Sequence, residues 1–151
     1  MFLAEAIKEK DYIKKSIDRL HNRILWLSVT TSESDSKLNS ELINNKLEEL
    51  EKLYKEYQKY SIITQRAKGA VKIKLNDGEF SIADAESLIQ VLKNKLECFQ
   101  SLIEKVEGSN TDPSNIVCLN IKDIDIKTDM LEKDIKTIRL SVDKSLWGFE
   151  I

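Results

Sequence analysis

A single proline and four glycines in 151 residues leave little in this sequence to interrupt a helix. Histidine occurs once, at His21, which excludes a histidine-rich metal cluster and makes any Cys/His/Asp triad depend on that one ring. The only cysteines, Cys98 and Cys118, belong to no CxxC pair and sit in or beside apolar stretches, so they read as reduced packing residues rather than a disulfide or redox couple. Neither sign of charge prevails: 24 Lys and Arg face 26 Asp and Glu, and no global field draws the chain onto nucleic acid or an anionic membrane. Long apolar runs are missing too. Glu5 and Lys8 interrupt the first stretch, which argues against a signal peptide or a membrane span there and makes a cytoplasmic location the expectation.

The spellings GxxxxGK[ST], GxGxxG, GxSxG and HExxH are all absent, so the enzyme classes that they mark have no support. Asp123 and Asp125 form a DxD pair, yet two carboxylates without a third ligand make a weak cation site, and Asp123 reads more simply as a helix cap. The expectation is therefore a protein without cofactor, bound metal or enzymatic activity.

What is present is periodicity. Leu3, Ala6, Ile13, Ile17, Leu20, Ile24 and Leu27 follow a heptad rhythm broken only at Lys10, which predicts a first helix ending near Val29. Ser28 to Ser40 is rich in Ser and Thr and reads as a loop. A second helix is expected from about Leu38 to Thr64, its seam turning aromatic at Tyr54, Tyr57 and Tyr60. From Ala67 to Ile82 the rhythm becomes alternating, with Val71, Ile73 and Leu75 on one side and Lys72 and Lys74 on the other, then Asn76-Asp77-Gly78, then Phe80 and Ile82. This predicts a β-hairpin. Ser81-Ile82-Ala83-Asp84 spells a capping box ahead of Ala85, Ile89, Leu92, Leu96, Phe99, Ile103 and Val106, and Gly108 with Pro113 closes that third helix. Residues 116–121 are β-prone and are read as a third strand joining the ribbon. A last helix has the seam Ile124, Thr128, Leu131, Ile135, Ile138 and Val142, followed by an apolar tail, Leu146 to Ile151, that should dock against something. The fold class is thus mainly α: an elongated antiparallel coiled-coil bundle of about four long helices with a small β-hairpin insertion at 67–82, forming a single helical domain over 1–151.

Two surfaces are candidates for function. Lys59, Arg66, Lys68, Lys72 and Lys74 lie between Glu56 and Asp77 with no acidic residue among them, next to Tyr57 and Tyr60. Such a basic ribbon can bind a phosphate backbone, although lysines guarding a strand edge explain it more simply. The second surface is apolar. The second helix carries Ile43, Leu47, Leu50 and Tyr54 beside Leu42, Leu53, Tyr57 and Tyr60, a stripe wider than a two-helix seam requires. Leu47, Tyr54 and Tyr57, with Trp147 and Phe149 of the tail, are the candidate interface. The favoured reading is an oligomer-forming protein–protein interaction or scaffold module, a homo-oligomer with room for a protein partner. A nucleic-acid binder using the ribbon and a membrane-active cytolysin-like toxin are the alternatives.

The order of elements also resembles the septicolysin-like family of bacterial proteins. The similarity is carried by the Leu3-Ala4-Glu5-Ala6 helix start, the Ser/Thr loop, the Leu/Glu/Lys helix, the Leu75-Asn76-Asp77-Gly78 turn, the Asp84-Ala85 helix start and Trp147 in a terminal amphipathic helix. The resemblance implies a helical hairpin fold with a β insertion, in a family whose members mostly lack an established activity. The family name implies a cytolysin, but this chain has no long apolar hairpin and no cysteine in an exposed tryptophan-rich loop. It departs from the family at the tail, where Leu146-Trp147-Gly148 stands in place of an Asn-Trp pair.

Overall fold

Among the described residues, four helices and one two-stranded antiparallel sheet follow one another as α1 (Leu3–Leu27), α2 (Glu33–Ala70), β1 (Lys72–Leu75), β2 (Gly78–Ser81), α3 (Ile82–Ser109) and α4 (Ile121–Gly148). The computed structural model describes residues 1–76, 78–109 and 111–151. The mainly α class with a small hairpin is the one the periodicity predicts. Tertiary contacts group the chain into two compact units, Met1–Ala67 with Trp147–Ile151, and Lys68–Leu146.

In the first unit, α1 buries Leu3, Ala6, Ile13, Ile17 and Leu27 of its predicted seam, while Leu20 and Ile24 are half-buried. Its N-terminus is held by Glu5, whose carboxylate accepts the Phe2 N–H at 2.7 Å. Helix α2 runs antiparallel to it, since Asn39 donates to the Leu27 carbonyl at 3.2 Å and Lys46 and Glu49 line one groove with Ser16, Arg19, Leu20 and Arg23. This helix is longer at both ends than its apolar rhythm. At the start, Ser32 is the cap: its carbonyl accepts Ser36 N–H at 2.9 Å and its hydroxyl accepts Asp35 N–H at 3.4 Å, so the Ser/Thr stretch is largely helical rather than a loop. Glu33 and Asp35 in the first turn suit the positive end of the helix dipole. Beyond Thr64, good helix formers carry α2 on to Ala70, so the hairpin insertion is shorter than 67–82.

The tail docks on the other end of the chain. Phe2 and Glu150 form an antiparallel bridge, Leu3 N–H donates to the Phe149 carbonyl at 2.9 Å, and Ile151 N–H donates to Met1 at 3.0 Å.

In the second unit, β1 and β2 pair with Lys72 opposite Ser81, Ile73 opposite Phe80, Lys74 opposite Glu79 and Leu75 opposite Gly78. The predicted alternation holds within the strand: Ile73 is buried while Lys72 and Lys74 are exposed. Val71 lies just before the strand and its carbonyl accepts Ile82 N–H at 3.1 Å. Of the expected turn, Asp77 lies outside the described residues; Gly78 has φ 135°, a conformation that strains any side chain. The hairpin packs on α3 through β2. Ser81, itself buried, caps α3 by accepting Asp84 N–H at 3.0 Å, as the capping-box spelling predicts.

Helix α4 buries all six of its seam residues, Ile124, Thr128, Leu131, Ile135, Ile138 and Val142. It lies antiparallel to α3, for one groove joins Leu88 and Leu92 to Ile138 and Ser141 while another joins Phe99 to Met130. Two expectations fail here. The cap of α4 is Asn120, whose side chain accepts Asp123 N–H at 3.3 Å, and not Asp123 itself. The third strand at 116–121 does not form: the sheet has two strands among the described residues, Ile116 is 87% exposed, and Ile121 is already helical. β-propensity needs an edge within reach, and the turn at Asp112 to Asn115, fixed by Asn115 donating to the Ser109 carbonyl at 3.0 Å, leads the chain into the α4 cap instead. Cys98 and Cys118 are exposed free thiols, not buried packing groups.

Candidate interaction surface

The five predicted cations do not share one environment. Lys59 and Arg66 are exposed on α2 in the first unit, seven positions apart and so on one helix face. Lys68, in the second unit, bonds both carboxylate oxygens of Glu86 at 2.8 and 3.1 Å, which spends its charge locally. Lys72 and Lys74 are exposed on β1, and Lys74 stands opposite Glu79. What remains of the ribbon in the second unit is two lysines with an acid across the strand. That arrangement matches guarding of a strand edge better than tracking of a phosphate backbone.

The apolar candidates all belong to the first unit. Helix α2 buries only Thr64 and Ala67; its covered face carries half-buried Ile43, Leu50, Leu53, Tyr57 and Tyr60. At about 100° per residue, Leu47 and Tyr54 fall on one flank of that face and Leu38 and Leu42 on the other. These flanking groups are exposed, Leu47 by 43% and Tyr54 by 49%. One antiparallel helix covers an arc of about 100°, so a stripe this wide leaves both flanks in water. Trp147 is partly satisfied within the chain, with the Lys8 ammonium 4.5 Å from its ring centroid. Phe149 is half-buried where the tail pairs with Leu3.

The loop end of the α1–α2 hairpin is a further apolar region that the seam pattern does not mark, with Leu25, Trp26, Val29 and Leu38 56%, 76%, 84% and 56% exposed. The signal was present: Leu25 and Trp26 lie between seam positions, and an apolar residue off the seam must face away from the partner helix.

Other chemistry finds less support. His21 is exposed on α1. Among the described residues, no three His, Cys, Asp or Glu side chains gather where they could hold a metal ion, and no helix is long and apolar enough to cross a membrane. One groove, of about 450 Å³, is open and lined by Leu96, Ile135 and Leu140 with charged groups of both signs.

The sequence matches no protein-family model and no curated protein. The fold is nevertheless shared. The structure is similar to the crystal structure of a functionally unknown conserved protein from Corynebacterium diphtheriae, with a TM-score of 0.85 over 100% of this chain and 98% of that one. Sequence identity between the two is 18%, so the likeness establishes the fold alone.

Proposed function

We propose that this chain is a non-enzymatic interaction module that self-associates through the exposed flanks of α2, with a homo-oligomer as its working form. The observation that carries this reading is surface area. Leu38, Leu42, Leu47 and Tyr54 stand 56%, 39%, 43% and 49% exposed on the two flanks of α2. Contiguous apolar surface beyond a few hundred Å² marks an interaction site in a soluble protein. The septicolysin-like family is the relationship we propose on the sequence resemblance.

Multi-angle light scattering through a dilution series tests the reading. A mass of two or more 17.4 kDa chains at micromolar concentration is expected, and Leu47→Glu with Tyr54→Glu should lower it. A single-chain mass throughout would refute it.

A further inference from the structure

We propose that the outer face of α1 binds a single strand of nucleic acid; this surface uses none of the α2 flanks and does not depend on self-association. At about 100° per residue, Lys8, Tyr12, Lys15, Arg19, Arg23 and Trp26 fall within one arc of about 80°, turned away from the buried seam of Ile13 and Ile17. All six are exposed, Tyr12 by 60% and Trp26 by 76%. Trp147 joins the far end of the stripe, since the Lys8 ammonium lies over its half-exposed ring, 4.5 Å from the centroid. The stripe thus carries four cations among three accessible rings, along about 27 Å of helix.

Charge selects the partner. Between Lys8 and Trp26 no acidic residue falls in the arc. Of the acids beside it, Asp18 is paired with Lys14. Glu49 of α2 shares a groove with Arg19 and Arg23, but Lys46 lines that groove too, so three cations meet one carboxylate. Among the described residues no cation of the stripe is in an ion pair; the pairs found are Lys14 with Asp18 and Lys68 with Glu86. Such a track attracts a polyanion locally, although the whole chain carries a net charge of -2. Lys15, Arg19 and Arg23 follow one another at steps of about 6 Å along the axis, which suits successive phosphates of one extended strand. The rings favour nucleic acid over other polyanions and unpaired bases over a duplex, because an exposed ring stacks only on a base whose face is free. A membrane surface fits less well: the cations lie between the rings, so the arc has no continuous apolar face to insert.

Fluorescence anisotropy of short labelled oligo(dT) and oligo(rU) tests this. Both should bind, since the surface meets backbone and base faces and not the sugar. With about three phosphates engaged, affinity should fall about twentyfold between about 50 and 200 mM salt. Arg19→Gln with Arg23→Gln, at wild-type helicity by circular dichroism, should weaken binding at least tenfold and flatten that salt dependence. Trp26→Ala keeps every charge and reads the site independently: binding should weaken at least fivefold with the salt dependence retained. Lys72→Glu with Lys74→Glu, on β1, should leave binding unchanged. No binding to either strand, full affinity in the arginine variant or in Trp26→Ala, or loss of binding in the β1 variant would overturn the proposal. Equal affinity for polyglutamate or for anionic lipid vesicles would overturn it as well, by making the stripe a contact for any negative surface.

Discussion

Replacing Ile73 by Ala probes the one segment where the helical rhythm breaks. Ile73 is 5% exposed on β1, opposite half-buried Phe80, while its neighbours Lys72 and Lys74 face water. Deleting three buried carbons at about 0.8 kcal/mol each, with a contribution from the cavity left behind, gives a loss of about 3 kcal/mol. For a chain of this length that lowers the melting temperature by about 10 °C. Far-UV circular dichroism on heating reads the shift. Lys72→Glu, opposite Ser81, should change stability by less than about 0.5 kcal/mol. Lys74→Glu brings a like charge opposite Glu79 and should cost up to about 1 kcal/mol. A Lys72→Glu variant as destabilised as Ile73→Ala would show that β1 does not present one dry and one wet face, and the reasoning would fail.

Ser81→Ala removes the hydroxyl that accepts Asp84 N–H and should cost about 1 kcal/mol in chemical denaturation, with Ser81→Thr retaining most of it. Deleting Phe149 to Ile151 takes away the acceptor of Leu3 N–H, so amide exchange at Leu3 should accelerate by at least tenfold; unchanged protection would mean that the terminal pairing is not held in solution. The Asp112 carboxyl is held below its ordinary pKa by the Ser114 backbone N–H and then by the Ser114 hydroxyl. The charged form is therefore favoured by the folded turn, whose stabilisation is complete above the ordinary carboxylate range and is lost as pH falls through the depressed value. A carboxyl NMR titration of Asp112 with a midpoint at or above the ordinary value would contradict this. Both thiols should react with an alkylating agent in the native state at rates near those of the unfolded chain, and Cys98→Ser with Cys118→Ser should leave stability almost unchanged.

Helix faces were legible wherever one pattern had one partner. The α4 seam is buried at all six predicted positions, and most of the α1 seam is buried likewise, because a side chain three or four residues from its apolar neighbour must share its face. Capping chemistry is equally local: Ser81 with Asp84 marks the start of α3, and Ser32 with Asp35, spelled the same way, marks the start of α2 where no apolar rhythm does. The basic ribbon was legible as composition only, since nothing in the order of residues says that Glu86 neutralises Lys68 or that Glu79 stands opposite Lys74. Residues 116–121 show the same limit, because a β-prone run becomes a strand only if tertiary structure brings an unpaired edge to it.

Periodicity and capping are properties of neighbouring residues, so the sequence by itself determined four helices, a hairpin and which stripe of each helix turns inward. Exposure and charge pairing depend on residues far away in the chain, so only the tertiary structure decided that α2 keeps both flanks of its stripe in water, that the tail pairs with Met1 to Leu3, and that Trp26 stands 76% exposed at the end of the first hairpin.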